Sequence, residues 1–176
     1  YNSNELDEWL FHVKRGEKNY KLNYPTMYKK LIFAFLFSGF RFDYPLHLVI
    51  TGPPGTGKSW LLMALDQKFN ELISMVGGGN ATIKSFVPST PSGKYNKGHL
   101  YSADNILTVD EMFNIFLNTY KKEGQDNEEI LRFNTILENL PITTSSSFGA
   151  HKEKITAKTI WMTNPIDKSC RNFITS

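Results

Sequence analysis

Eight consecutive residues, Gly52-Pro53-Pro54-Gly55-Thr56-Gly57-Lys58-Ser59, combine three glycines with a lysine and a hydroxyl. Glycines let successive backbone N–H groups turn inward around an anion, and a helix opening behind them adds the positive end of its dipole. In that setting Lys58 reaches the β- and γ-phosphates of a nucleotide and Ser59 ligates magnesium. Trp60 follows directly and is grouped with the nucleotide-binding residues. Two further clusters suit the same chemistry. In Ile106-Leu107-Thr108-Val109-Asp110-Glu111 an apolar run ends in two acids. Asp110 can hold the magnesium shell, and Glu111 can polarise an attacking water as general base. In Ile160-Trp161-Met162-Thr163-Asn164-Pro165 an apolar run ends in an amide, and Asn164 can orient that water beside the γ-phosphate.

Three such clusters act together only if three strands end at one place. Leu46 to Thr51 is a short continuous apolar run, as expected of a strand buried on both faces of a parallel sheet. Lys58 to Phe69 carries apolar residues at helical spacing (Leu61, Leu62, Leu65, Phe69). Asn105 to Val109 reads as a second buried strand, and Ile142 to Ser147 and Ile155 to Met162 as β-prone segments flanking a charged turn. Tyr28 to Phe40 reads as a buried helix ending near Gly39, and Met112 to Tyr120 and Glu128 to Leu140 as further helices. Residues 77–98 read as a surface insertion, being rich in Gly, Ser, Thr, Pro and Lys. Residues 1–25 are polar and read as a linker or the tail of an upstream element, leaving 26–176 as the core. Short buried strands alternating with helices give an α/β fold with a parallel sheet.

With 176 residues the chain suits one ordinary domain, and 40% hydrophobic and 14% aromatic content is that of a folded protein. Its 20 basic and 17 acidic residues leave a net charge of +3, which permits a nucleic-acid partner without arguing for one. The single cysteine, Cys170, excludes a disulfide framework and a thiolate zinc cluster, and points to a reducing, cytoplasmic setting. The longest apolar run, Leu31 to Phe37, falls well short of the roughly 20 residues that span a bilayer.

The ordered blocks resemble the ATPase domain of minichromosome maintenance (MCM) replicative helicases, in the divergent form found in phages and mobile genetic elements. Tyr28 to Gly39 is similar to that family's helix before the phosphate loop, and Gly98-His99-Leu100-Tyr101-Ser102-Ala103-Asp104 to its lead into the acidic strand. Asp110-Glu111-Met112-Phe113, Leu137-Glu138-Asn139-Leu140-Pro141-Ile142-Thr143 and Thr163-Asn164-Pro165-Ile166 fall where the family has its acidic pair, its hairpin and its sensor. The resemblance covers about residues 26–168. It implies an AAA+ P-loop NTPase with a β-hairpin inserted before the sensor strand. It implies ATP and Mg2+ as cofactors, DNA as partner, and a hexameric ring as the working assembly. Hairpin contacts to DNA would fall to His151, Lys152 and Lys154, with Ser146 where the family carries a lysine. The family's arginine finger and second sensor would lie beyond Ser176.

The activity so implied is ATP-driven DNA unwinding or translocation in replication. Two alternatives share the phosphate loop. A superfamily-three-type viral helicase would read Thr163-Asn164 as its own terminal motif, and an AAA+ protein remodeller would need an aromatic pore loop, for which Lys94-Tyr95 is the nearest candidate.

Overall fold

The computed structural model describes residues 3–38, 46–77, 81–89, 94–112, 138, 142–146 and 149–165. Helix α1 (Ser3–Leu10) leads into strands β1 (His12–Arg15) and β2 (Lys18–Lys21), then helix α2 (Thr26–Phe37). Strand β3 (His47–Thr51) and helix α3 (Lys58–Phe69) flank the glycine-rich loop, followed by β4 (Ile73–Val76), α4 (Ile83–Phe86), α5 (His99–Ser102) and β5 (Ile106–Val109). Strands β6 (Ile142–Ser146), β7 (Gly149–Glu153) and β8 (Lys158–Thr163) complete the described elements. The helices expected over Met112–Tyr120 and Glu128–Leu140 lie almost wholly outside the described residues.

The main sheet has four strands in the order β3-β8-β5-β4, all parallel. Central strands β8 and β5 are buried along their whole length, with Thr108, Lys158, Thr159 and Thr163 enclosed among their apolar residues. Alternation sends their side chains into two separate layers. Ile106, Ile160 and Met162 join Leu61, Leu62 and Leu65 of α3 and Ile32, Phe35 and Leu36 of α2. Leu107, Val109 and Trp161 face the other way, onto Phe86, Val87 and Leu100. Each fully buried Leu or Phe contributes about 1.5–3 kcal/mol, so both layers are needed to hold the two central strands.

Three sequence expectations change here. Strand β3 is an edge of the described sheet and not buried on both faces; Val49 is 49% exposed. The segment read as a surface insertion buries Phe86 and Val87 beneath Trp161, with Gly98 packed against the Phe86 and Val87 backbone. The opening stretch, read as a linker or the tail of an upstream element, packs into the core: Leu10, Phe11, Val13 and Leu22 are buried in the layer of α2 and α3. Its sparse apolar residues hid this, because only these few positions face inward. An Asp7–Lys29 ion pair of 2.5 Å ties α1 to α2.

Helix α2 ends on a buried cation. The Lys158 ammonium donates to the carbonyls of Phe35, Leu36 and Ser38, and so caps groups that a helix C-terminus leaves unsatisfied. Burial pushes its pKa below the usual lysine value.

Candidate functional site

At the end of β3 the chain enters the loop through Gly52, whose N–H reaches the Thr163 carbonyl of β8 at 3.3 Å. Gly57 sits at φ +87°, a left-handed conformation that L side chains adopt only at a cost of about 1–2 kcal/mol. This turn lets α3 start at Lys58 with no side chain capping its first N–H groups. Those orphan donors, with the helix dipole behind them, make an anion-binding end.

The Lys58 ammonium spends its donors on the Gly52 carbonyl (2.6 Å), the Pro53 carbonyl (2.9 Å) and the Asn164 side-chain oxygen (3.0 Å). The last of these links residues 106 positions apart. The Ser59 hydroxyl donates to Asp110 Oδ2 at 3.2 Å, and Asp110 Oδ1 accepts from the Glu111 N–H at 3.0 Å. Thr56 donates its hydroxyl to the Pro53 carbonyl at 2.8 Å and stiffens the turn.

These groups surround one cavity of about 350 Å³. Pro54, Gly55, Gly57, Lys58, Ser59 and Trp60 form its loop and helix side. Asp110, Glu111, Thr163 and Asn164 form the opposite side, at the ends of β5 and β8. Gly52, Pro53 and Thr56 shape the loop without lining the cavity. The topology explains the meeting. Strand β8 lies between β3 and β5, so its terminal Asn164 stands between the loop and the acidic pair.

Glu111 is the only non-glycine residue with positive φ (+53°) among the described residues. Such strain in a glutamate persists only where surrounding structure imposes it, and it concentrates at functional sites. Here it turns the residue after Asp110 away from the strand direction and into the cavity wall.

The donor set suits a hard cation held partly by a ligand. One hydroxyl and one carboxylate, Ser59 and Asp110, offer two oxygens, leaving the other positions for phosphate oxygens and water, as magnesium requires. Among the described residues there is no group of three His, Cys, Asp or Glu able to bind a metal by protein ligands alone. Phosphate oxygens can replace the loop carbonyls that Lys58 now holds, and Glu111 lines the same cavity.

The basic residues of the expected hairpin lie elsewhere. Strands β6 and β7 form a separate two-stranded sheet, with Thr143 opposite Lys152 and Thr144 opposite His151. His151 and Lys152 are therefore strand residues and not part of a charged turn; exposed Lys154 follows just beyond. Lys154 is not among the residues lining the cavity.

Sequence reasoning missed Tyr24. Its hydroxyl donates to the Gly57 carbonyl at 2.6 Å, and burial raises its pKa from 10.0 to about 12. It props the loop from the opening stretch, and nothing in its spacing signals that role. Arg15 and Tyr20, which lie against Trp60, were missed for the same reason, although Gly16 between two short β-prone runs is a hairpin signal. Among the described residues no helix is long and apolar enough to cross a membrane. Compared with known proteins, no family model matches the chain and no curated protein shows significant similarity to it.

Proposed function

We propose that this chain binds Mg-ATP in the cavity between α3 and the ends of β5 and β8, and hydrolyses it. One observation carries the reading: Lys58, Ser59, Asp110, Glu111 and Asn164, from three distant segments, line a single cavity and are joined by the Lys58–Asn164 and Ser59–Asp110 hydrogen bonds. Lys58 takes the β- and γ-phosphates, and Ser59 with Asp110 holds the magnesium shell. Glu111 accepts the proton of the attacking water, and Asn164 fixes that water beside the γ-phosphate. Glu111→Gln keeps the shape and removes the base, so it should bind ATP normally and turn it over slowly. Hydrolysis by Glu111→Gln at the wild-type rate sinks this assignment.

We further propose an AAA+ motor of the MCM-like type, unwinding or translocating on DNA as a ring. A separate antiparallel sheet between the acidic strand and the Asn164 strand supports this, because it sets His151 and Lys152 on a hairpin outside the main sheet. Its contact with a nucleic-acid backbone would be electrostatic and steeply salt-dependent. DNA should therefore stimulate ATP turnover at low salt, and Lys152→Ala with Lys154→Ala should abolish the stimulation while basal turnover stays. Stimulation by unfolded protein and not by DNA would favour the remodeller.

A further inference from the structure

The cavity has an aromatic end as well as a phosphate end. Among the described residues that line it Trp60 is the one aromatic side chain, and it belongs to the first turn of α3. The β1–β2 hairpin lies along the same helix. Gln67 is seven residues beyond Trp60 and so shares its face. It clamps the hairpin in both directions: the Lys14 N–H donates to Gln67 Oε1 at 3.0 Å, and Gln67 Nε2 donates to the Lys14 carbonyl at 2.7 Å. Val13 is fully buried and fixes which hairpin face turns inward.

Register does the rest. Val13 pairs with Tyr20 and Arg15 with Lys18, so these four residues share one face of the hairpin, of which only Val13 is buried. The Tyr20 ring lies 4.9 Å from the Trp60 ring at 58°, and the Arg15 guanidinium is 5.7 Å from the Trp60 ring centre. Tyr20 is nevertheless 40% exposed, leaving ring surface open to a ligand.

Resting on the nucleotide reading above, we infer that Trp60, Tyr20 and Arg15 form the platform that stacks the nucleobase. The polar wall of Asp110, Glu111 and Asn164 receives the γ-phosphate end, and the loop takes the middle of the chain. The base then leaves toward the aromatic wall. Aromatic and guanidinium planes stack on any base, so the platform supplies affinity without strong choice between purines.

The test is calorimetric titration with Mg-ATP and, separately, with magnesium tripolyphosphate, which has the charge but no base. Tyr20→Ala should weaken ATP binding by about 5–100-fold, the range of one base–aromatic stack. It should leave tripolyphosphate binding unchanged, and Tyr20→Phe should keep both. Equal weakening of both ligands by Tyr20→Ala, or no change in either, overturns the platform while the phosphate site stands. A wild-type chain that binds neither ligand overturns the nucleotide site and the platform with it.

Discussion

Gly57→Ala measures how tightly the loop is propped, and Gly55→Ala is its natural control. Both glycines have positive φ, +87° and +82°, so an alanine at either meets the same left-handed strain of about 1–2 kcal/mol. Both substitutions also restrict the unfolded chain by a similar amount. These contributions cancel when the two variants are compared. What differs is the surroundings. A Cβ on Gly55 meets nothing within 4 Å, whereas one on Gly57 sits 3.1 Å from the Tyr24 hydroxyl. The hydroxyl must withdraw, loosening its 2.6 Å bond to the Gly57 carbonyl, a loss of about 0.5–1.5 kcal/mol. Gly57→Ala should therefore cost about 0.5–1.5 kcal/mol more than Gly55→Ala, or about 1–6 °C in Tm for a chain this size. In a Tyr24→Phe background the nearest remaining ring carbon is 3.8 Å away, an ordinary contact, so the excess should vanish. Urea unfolding of the single and double variants reads this directly. Equal costs at the two glycines, or an excess that survives in the Tyr24→Phe background, would refute the propping role.

Further outcomes follow from the same geometry. Glu111→Gly should relieve the left-handed strain while adding chain entropy, leaving stability unchanged or up to about 1 kcal/mol higher even as hydrolysis is lost; destabilisation well beyond 1 kcal/mol would show that the strain reading is mistaken. Lys158→Met removes the donor shared by the Phe35, Leu36 and Ser38 carbonyls, and should lower stability by about 2–4 kcal/mol with nucleotide affinity kept; a thermal midpoint equal to wild type would contradict it. For Tyr24 the folded pKa lies above the unfolded one, so its contribution is present below pH 10 and is lost as pH rises from 10.0 through about 12. Ultraviolet titration of the phenolates should show a late step near pH 12 that Tyr24→Phe deletes; persistence of that step in the variant would assign it elsewhere.

The site was more legible in the sequence than the scaffold beneath it. Lys58, Ser59, Asp110, Glu111 and Asn164 each stand at a place where an apolar strand or a glycine-rich turn gives way to a functional group. Local pattern alone marks such places. Strands β5 and β8 were legible because burial on both faces leaves them mainly apolar, with Ile106, Leu107 and Val109 in one and Ile160, Trp161 and Met162 in the other. The opening stretch was not, because β1 and β2 bury Val13 and little else, and their value lies in contacts with Trp60 and Gln67 of α3. Tyr24 and Lys158 are also contacts across long sequence separations, 33 and more than 100 residues, which no periodicity encodes. The hairpin illustrates a third limit: its existence is readable, but the sequence predicts a turn at His151 and Lys152, because short polar strands lack an apolar face to announce them.

The central claim is that this cavity binds Mg-ATP through Lys58, and equilibrium titration of the wild type and Lys58→Ala with ATP, each with and without magnesium, tests it most directly. The account predicts saturable, magnesium-enhanced binding by the wild type. It predicts a loss of about 10–100-fold in Lys58→Ala, because a charged hydrogen-bond donor to phosphate contributes about 1.5–3 kcal/mol. A wild-type chain that shows no saturable binding, or a Lys58→Ala chain that binds ATP as tightly as the wild type, would contradict it.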